Sequence, residues 1–418
     1  MLAPVPPPSQ SFASWRQARE RLAAASTDLR QAEANVARAA ALARQALAAL
    51  LPDARLTIGA AYDLDNPESP PGAPASVDGR RVTTPVATAS LSVSQRVVDL
   101  AAHRGRAAAR SAARASGWSL LEQRRRLQQG LARTLVAVVA AERIAELVRV
   151  GLRQALERAA LSQRTFELGR ATELDVLRAR QDVALARSAV IAGDEQLRVA
   201  RESLGLAVGV EEQVGVTPEL RLDELLVELQ AQCRPLAPGE RRADAEAAAA
   251  AVDAARQRTA QARASKLPTL FASSSLFALT TDPGAARVAS WSIGAVLSVP
   301  LWEGGLRAAQ VREREALERD AEAVAEELRR ATGVEVARAR RAQVVAESLV
   351  TVATEALELA TRLDAMTRRS FEIGRATSLE LVQSAVALRQ AELTLALRQF
   401  EWTQARLDAH LTAARCDP

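Results

Sequence analysis

The sequence contains nearly the same twelve residues twice. FELGRATELDVL begins at Phe166, and FEIGRATSLELV begins at Phe371, 205 positions later. The central glycine, arginine, alanine and threonine are identical in the two copies. Similarity at one fixed offset in a chain of 418 residues is typical of internal duplication. The two halves of the chain are therefore predicted to share one architecture.

The first copy carries the signals of a sharp turn between two helices. Gly169 is the residue type preferred just past a helix C-terminus, because glycine reaches positive φ at little cost. Thr172 is a favoured N-cap, and Asp175 three residues later resembles the second half of a capping box. Because the stop and the start lie so close together, the flanking helices are predicted to run antiparallel.

The second copy repeats this pattern with Gly374, Thr377 and Glu380. An ordinary helix–turn–helix in a bundle explains one such copy. It explains less well why both copies retain the same turn, including the solvent-suited Arg170 and Arg375.

Four segments alternate between apolar and polar residues with the period of a β-strand. Two lie in the first half, at 54–64 and 86–97, and two lie in the second half, at 269–279 and 289–299. Proline and glycine punctuate the sequence between the members of each pair, which predicts loops there.

An uninterrupted helical pattern follows each pair of strands. Asp99–Leu168 and Glu303–Ile373 each contain about 70 residues, enough for a helix of ~105 Å. The composition agrees, because 48% of the residues are apolar, mainly Ala, Leu and Val, while aromatic residues make up 3%. Each half is therefore predicted to be helix, strand, loop, strand, very long helix, tight turn and helix. Matching helix lengths predict that the two turns form one common tip.

The predicted strands suit a wall between lipid and water, since one face carries Ser and Thr and the other is apolar. Four strands are too few to close a membrane barrel, so several chains would have to pool them. A small soluble sheet that caps a helical bundle stays open as the alternative. Five aromatic residues fall in or beside the strands and suit the membrane interfaces: Tyr62, Phe271, Phe277, Trp291 and Trp302.

Several classes of protein are disfavoured. No apolar run reaches the ~18 residues of a membrane-spanning helix, and MLAPVPPPSQ at the start resembles no signal peptide. We therefore expect a cytosolic chain or a form that begins after processing. The 55 basic and 50 acidic residues are interleaved, which argues against a nucleic-acid protein. His103 and His410 are isolated, and no catalytic motif is present. We predict no enzyme activity, no cofactor and no metal.

The chain resembles the TolC-like outer-membrane efflux proteins over nearly its whole length. The resemblance rests on the doubled F-E-[LI]-G-R-A-T turn, on SVPLWEGG at Ser298–Gly305, and on ASKLPTLFASSS before the third strand. The fold implied is mainly α with a small β part. It is a homotrimer with a 12-stranded outer-membrane barrel, four strands from each chain, that continues as a coiled-coil α-barrel through the periplasm.

The resemblance also implies the domain organisation. The first repeat would cover 11–204, an equatorial linker 205–238, and the second repeat 239–415. Cys233 in the linker and Cys416 near the C-terminus would then both lie near the equator. We expect them to form a disulfide bond, which an oxidising periplasm permits.

In the family, the helix turns form the periplasmic entrance and contact the adaptor. By position, these residues are Gly169, Arg170, Ala171, Thr172, Gly374, Arg375, Ala376 and Thr377. The family often lines its constriction with acids one and two turns after the second turn. The matching positions here are Glu380 and Gln383, with Asp175 as the first-repeat counterpart. A single ring of Glu380 is therefore expected, although the same residue caps its helix. Arg170 and Arg375 are expected either to pair with acids on neighbouring helices or to be solvated surface residues.

The function implied is a passive exit duct across the periplasm and outer membrane, in a tripartite efflux or type I secretion system. Small molecules are the expected cargo. The partners would be two further copies of the chain, a periplasmic adaptor, an inner-membrane pump and outer-membrane lipid. The alternative is a soluble, elongated coiled-coil scaffold or a periplasmic adaptor.

Overall fold

The computed structural model describes residues 3–237, 239–282 and 287–416. Within these ranges the helices are α1 (Trp15–Ala25), α2 (Thr27–Ala48), α3 (Leu100–Glu167), α4 (Glu173–Ala207), α5 (Leu222–Gln232), α6 (Ala243–Ala264), α7 (Leu306–Glu372) and α8 (Ser378–Thr412). The strands are β1 (Gln10–Phe12), β2 (Asp53–Ala61), β3 (Ser76–Val77), β4 (Arg80–Val82), β5 (Val86–Val98), β6 (Val214–Val216), β7 (Cys233–Pro235), β8 (Thr269–Leu279), β9 (Thr281–Asp282), β10 (Arg287–Ser298) and β11 (Ala414–Cys416).

The order of the main elements confirms the predicted duplication. The long helices α3 and α7 contain 68 and 67 residues. The helices that follow the turns, α4 and α8, contain 35 residues each. The two halves therefore match in both the order and the length of their main helices.

Contacts between residues divide the chain into two compact units. The first unit combines Met1–Glu33, Ser119–Asp244 and Arg329–Pro418, and it contains both predicted turns. The second unit combines Ala34–Trp118 and Ala245–Leu328, and it contains the predicted strands. Each unit draws on both halves of the sequence, as expected when two duplicated halves lie side by side.

The second unit holds a four-stranded antiparallel sheet in the order β10-β8-β5-β2. Directly opposed residues share a face of a sheet. One row across all four strands is apolar: Leu56, Leu91, Leu276 and Trp291. The adjacent row, on the other face, is polar: Arg55, Ser92, Ser275 and Ser292. The predicted division into an apolar and a hydroxyl-bearing face is confirmed for these rows.

Two details of the strand prediction are wrong. The first strand ends at Ala61 and not at Leu64, because Asp63 Oδ1 accepts hydrogen bonds from the backbone N–H groups of Asp65 and Asn66 and turns the chain. The predicted loops contain β3, β4 and β9, which form a small three-stranded sheet. The predicted loop at 280–287 lies partly outside the described residues.

The main core of the first unit joins segments that the repeat pattern did not predict. Strand β1 pairs in parallel with β6, and β11 pairs antiparallel with β7. Large, almost fully buried side chains from helices that are distant in sequence meet in this core: Trp15, Leu131, Leu135, Leu204, Leu229, Leu407 and Leu411. Much of the proposed linker 205–238 is therefore ordered structure. Its extent stays a prediction, and its last residue, Pro238, lies outside the described residues.

A disulfide bond between Cys233 and Cys416 joins β7 to β11 across 183 positions of sequence. Both residues are buried in this core, and the same two residues are opposed in the strand pair. The His410 ring nitrogen Nε2 also lies 2.7 Å from the carbonyl oxygen of Cys233. The bond therefore ties the linker to the end of the second repeat.

We predict that the unfolded, unreduced protein contains no free thiol. Titration under denaturing conditions measures this directly, and two thiols per chain would reject the bond. Replacing both cysteines by serine should destabilise the fold by about 2–5 kcal/mol, because the bond closes a long loop. Thermal unfolding in detergent, followed by circular dichroism, measures the loss.

Candidate functional site

The first turn is built by its own backbone and by one capping box. Gly169 adopts φ 71°, and the N–H of Arg170 donates to the carbonyl of Thr165 at 2.9 Å, which ends α3. The Thr172 hydroxyl accepts from the N–H of Asp175 at 3.3 Å, while Asp175 Oδ2 accepts from the N–H of Thr172 at 2.9 Å. The predicted turn and its capping box are confirmed.

The second turn has the same construction. Gly374 adopts φ 74°, and the N–H of Arg375 donates to the carbonyl of Ser370 at 2.8 Å. Glu380 Oε2 accepts from the N–H and the hydroxyl of Thr377 at 2.7 and 3.0 Å. These hydrogen bonds lower the pKa of Glu380, first through the backbone N–H and then through the hydroxyl of Thr377.

One hydrogen bond joins the two turns of the chain. The Ser378 hydroxyl donates to Asp175 Oδ1, the carboxylate oxygen that the capping box leaves free. The Ser378 hydroxyl is the main cause of the lowered pKa of Asp175, followed by the hydrogen bond from the Thr172 N–H. Both oxygens of Asp175 therefore have partners. In the described part of the chain, Glu380 Oε1 has none.

A groove lies between the two turns and is called the first groove below. It has a volume of about 390 Å³ and draws on both repeats. Its first-repeat side carries charge through Arg158, Arg170, Arg178 and Asp175. Its second-repeat side is mainly apolar and includes Phe371, Leu381 and Val382.

A second groove lies along the second turn and has a volume of about 510 Å³. It is lined by α7, the turn and α8, and it includes Leu363, Met366, Arg375, Glu380 and Gln383. Two of the three predicted constriction residues, Glu380 and Gln383, therefore lie together, while Asp175 lines the first groove.

Arg170 and Arg375 are exposed at the two turns. Neither forms an ion pair with a carboxylate elsewhere in the described ranges of this chain. Their expected pairing with acids on neighbouring helices stays a prediction.

A buried ionic cluster on α4 was missed by sequence reasoning. Asp182 is 3% exposed, and its carboxylate contacts Arg158 at 3.0 Å and also Arg389. Burial would raise the pKa of Asp182, but the hydrogen bonds from Arg389 and Arg158 outweigh it and hold the pKa below its usual value. The Arg389 stem passes α3 at Gly151, where an added Cβ would lie 2.9 Å from the arginine Cδ. The cluster therefore joins α3, α4 and α8.

The sequence did contain a signal for this cluster. Asp182 follows the helical spacing of the buried residues Ala179, Val183 and Ala186, so a charged residue interrupts an otherwise apolar stripe. An acid at such a position needs a cationic partner from another helix.

The five predicted interfacial aromatic residues belong to the second unit and differ in exposure. Tyr62, Trp291 and Trp302 are 51%, 70% and 86% exposed in the single chain. Phe271 and Phe277 are half-buried and lie in rows with Arg96 and Ser90, on the hydroxyl-bearing face. Phe277 also packs against a buried cluster of Val82, Val86 and Leu279. The register therefore places Trp291 on the apolar face, while Tyr62 follows the end of β2 at Ala61, and the interfacial role of all five residues stays a prediction.

No helix in the described ranges has an apolar stretch long enough to cross a bilayer. The same part of the chain has no group of three or more His, Cys, Asp or Glu side chains arranged to hold a metal ion.

Solved structures share this fold over nearly the whole chain. The outer membrane protein VceC of Vibrio cholerae superposes with a TM-score of 0.78 at 19% identity, covering 96% of each chain. A membrane protein from Pseudomonas aeruginosa gives 0.79 at 20% identity, covering 96% of this chain and 90% of its own. The open state of the MtrE outer membrane channel of Neisseria gonorrhoeae gives 0.78 at 15% identity, covering 96% and 88%. No curated protein sequence matches the chain.

The duplicated long-helix hairpins and the shared four-stranded sheet define the class of outer-membrane channels with an α-helical tunnel. The family model for outer membrane efflux proteins matches residues 18–210 and 239–412. The chain therefore belongs to the outer membrane efflux protein family. It is an outer-membrane efflux duct, and its family and fold are those of channels rather than of enzymes.

Removing one cap should loosen its turn. Thr377→Ala deletes the hydroxyl that accepts from the N–H of Glu380, at an expected cost of about 1 kcal/mol. Hydrogen exchange of the first turn of α8 should accelerate accordingly. Thr354→Ala removes an exposed hydroxyl within α7 and serves as the control, since it should leave this turn unchanged.

The turns should also loosen in acid. The pKa values of Asp175 and Glu380 are lowered in the folded chain. The stabilisation that the two ionised carboxylates give to the turns is therefore complete above the ordinary pKa values of about 3.9 and 4.3. It is lost as pH falls through the lowered values. Protection factors of the turn amides, measured from pH 6 downwards, should fall only below about pH 4. A loss of protection near neutral pH would contradict this assignment.

Asp182→Ala should destabilise the helices strongly, by about 3–5 kcal/mol, because two guanidinium groups lose their buried counterion. Thermal unfolding in detergent measures the effect. Glu195→Ala, which breaks the exposed 3.2 Å ion pair with Arg198, is the matched control and should cost below about 1 kcal/mol. Equal losses of stability in the two variants would show that the Asp182 cluster stabilises the fold no more than an exposed ion pair does.

Proposed function

We propose that three copies of the chain close into one passive export duct. The observation that carries this proposal is the open four-stranded sheet of the second unit. Within the described residues, both outer strands, β2 and β10, have one edge without a β partner. In hydrocarbon such an edge would leave backbone N–H and C=O groups without hydrogen bonds, so the sheet requires further strands.

The strand directions permit closure by identical copies. Each neighbouring pair in β10-β8-β5-β2 is antiparallel, so β2 and β10 run in opposite directions. The β2 edge of one copy can therefore pair with the β10 edge of the next in an unbroken antiparallel ring. Three copies supply twelve strands, the number that the family resemblance implies. The exposed row with Leu56 and Trp291 would then face lipid, and the row with Ser92 and Ser275 would face water.

The two turns, in this proposal, form the periplasmic entrance and contact a periplasmic adaptor. Exposed Arg170 and Arg375, which lack carboxylate partners in the described chain, support a role in binding another molecule. Gly169, Ala171 and Thr172, with Gly374, Ala376 and Thr377, shape the two turns. An adaptor and an inner-membrane pump would supply the energy and open the entrance. Small molecules are the proposed cargo, by the family resemblance alone.

Glu380 has two roles in this proposal. Its Oε2 atom holds the capping box, while Oε1 has no partner in the described part of the chain and is free to face a pore. Three such carboxylates around a narrow opening would favour cations over anions. Asp175 is less suited to this role because both of its oxygens already accept hydrogen bonds.

Three measurements test the duct. The protein should partition with outer membranes, require detergent for extraction, and give a trimer mass by native mass spectrometry. Planar bilayers should show discrete conductance steps. A protein that stays soluble without detergent would support the scaffold alternative and reject the duct.

Glu380→Gln should reduce the cation preference of the conductance, measured as a reversal potential in a salt gradient. Asp175→Asn is the matched first-repeat control and should change the reversal potential less. A larger effect of Asp175→Asn would place the constriction on the first repeat instead.

A further inference from the structure

The two grooves are equivalent sites in the two repeats. Adding 205 to positions that line the first groove gives positions that line the second groove. The matching pairs are Arg158 with Leu363, Leu161 with Met366, Ser162 with Thr367, Thr165 with Ser370, Arg170 with Arg375, Ala171 with Ala376, Asp175 with Glu380, Arg178 with Gln383, and Ala179 with Ser384. Nine matched pairs from separate segments show that the duplication extends to the surface beside each turn.

The grooves differ in what closes them. The first groove is closed by the second repeat of the same chain through Phe371, Thr377, Ser378, Leu381 and Val382. The second groove is lined by residues of its own repeat alone. The residues equivalent to this wall are found by subtracting 205 from its positions, which gives Phe166, Thr172, Glu173, Val176 and Leu177.

Several residues of this equivalent wall are exposed in the single chain. Phe166 is 40% exposed, Leu177 is 53% exposed, and Glu173 is also on the surface. In the cyclic assembly proposed above, each second repeat has the first repeat of another copy as its next neighbour. That neighbour presents these residues where the second groove is open.

We propose that Glu173 of the neighbouring copy fills the second groove and faces Glu380, where Ser378 faces Asp175 within the chain. The inference rests on the proposed trimer. In this arrangement the turns of neighbouring copies meet through the carboxylates of Glu173 and Glu380. Within one chain the turns meet through the hydrogen bond from the Ser378 hydroxyl to the Asp175 carboxylate. The free Glu380 Oε1 corresponds to Asp175 Oδ1, the atom that accepts from Ser378.

The surrounding charges do not neutralise this pair. Arg375 is the single cation in the second groove, and the other charged residue that lines it is Glu380 itself. The wall supplied by the neighbour carries no charge besides Glu173. The first groove has Arg178, 3.8 Å from Asp175, but the equivalent position in the second groove is Gln383. Two ionised carboxylates and one guanidinium leave a net negative site.

The contacts between copies should therefore respond to pH in the opposite sense to the capping boxes. Two ionised carboxylates at one contact repel each other, and uptake of one proton as the pH falls removes this repulsion. The protonated carboxyl then donates a hydrogen bond to the other, and the contact tightens. At neutral pH the pair repels, so the entrance would open by separation of copies while each chain keeps its two turns joined.

Cross-linking tests the proximity without any assay of transport. Glu173→Cys combined with Glu380→Cys should give disulfide-linked dimers and trimers of the purified, detergent-solubilised protein on non-reducing gels. Asp175→Cys combined with Ser378→Cys is the matched control and should close within one chain. If the control closes and no link forms between copies, the inference is overturned. A monomer by native mass spectrometry would instead refute the trimer on which it rests.

Conductance tests the consequence. In planar bilayers, the wild-type open fraction should fall between pH 7 and pH 5. Glu173→Ser copies Ser378 into the first repeat, and it should lower the open fraction at pH 7 roughly tenfold, since three exposed pairs contribute about a factor of two each. It should also flatten the pH profile. Ser378→Glu, the reciprocal change, should raise the open fraction at pH 7. An unchanged profile in Glu173→Ser would overturn the inference.

Discussion

Backbone polar groups at a sheet edge need hydrogen-bond partners, and a lipid environment supplies none. This constraint governs the second unit, because the sheet β10-β8-β5-β2 has two open edges and an exposed apolar row on one face. The chain has enough strands to begin a ring but too few to complete one. The unpaired backbone groups at the edges of β2 and β10 therefore favour assembly. Because the strands are antiparallel throughout, the β2 edge of one copy can pair with the β10 edge of the next.

Much of the fold was predictable because its strongest signals are local. Glycine at positive φ and a threonine cap three residues later define each turn, and strict alternation defines β2, β5 and β10. The core around Trp15 and Leu229 was not predicted, because it is formed by short segments that meet only in three dimensions. The Asp182 cluster was missed for the same reason, since Arg158 and Arg389 are distant from Asp182 in sequence. The packing of Phe277 against Val82, Val86 and Leu279 was not predicted either, because these residues come from separate strands.

The candidate site shows how duplicated sequences acquire different roles. The two turns have the same backbone conformation and the same capping box. The groove beside the first turn is closed by the second repeat of the same chain, whereas the groove beside the second turn is lined by its own repeat alone. A small set of side chains then separates them: Ser378 in place of Glu173, Gln383 in place of Arg178, and Leu363 in place of Arg158. Each difference removes charge from the second repeat. The first groove is rich in arginine, and both oxygens of its carboxylate, Asp175, have hydrogen-bond partners, while the second retains one carboxylate oxygen and one arginine for another molecule.

The duplication at an offset of 205 residues also affects the interpretation of covariation between positions in related sequences. If Glu173 and Glu380 meet only between copies, selection still links their codons, because both lie in one gene. Covariation among related sequences would then report two contacts at the turns, Asp175 with Ser378 and Glu173 with Glu380. If both were treated as contacts within one chain, the second pair would be assigned to the wrong copy. A covarying pair that is not in contact within one chain would therefore indicate a contact between subunits.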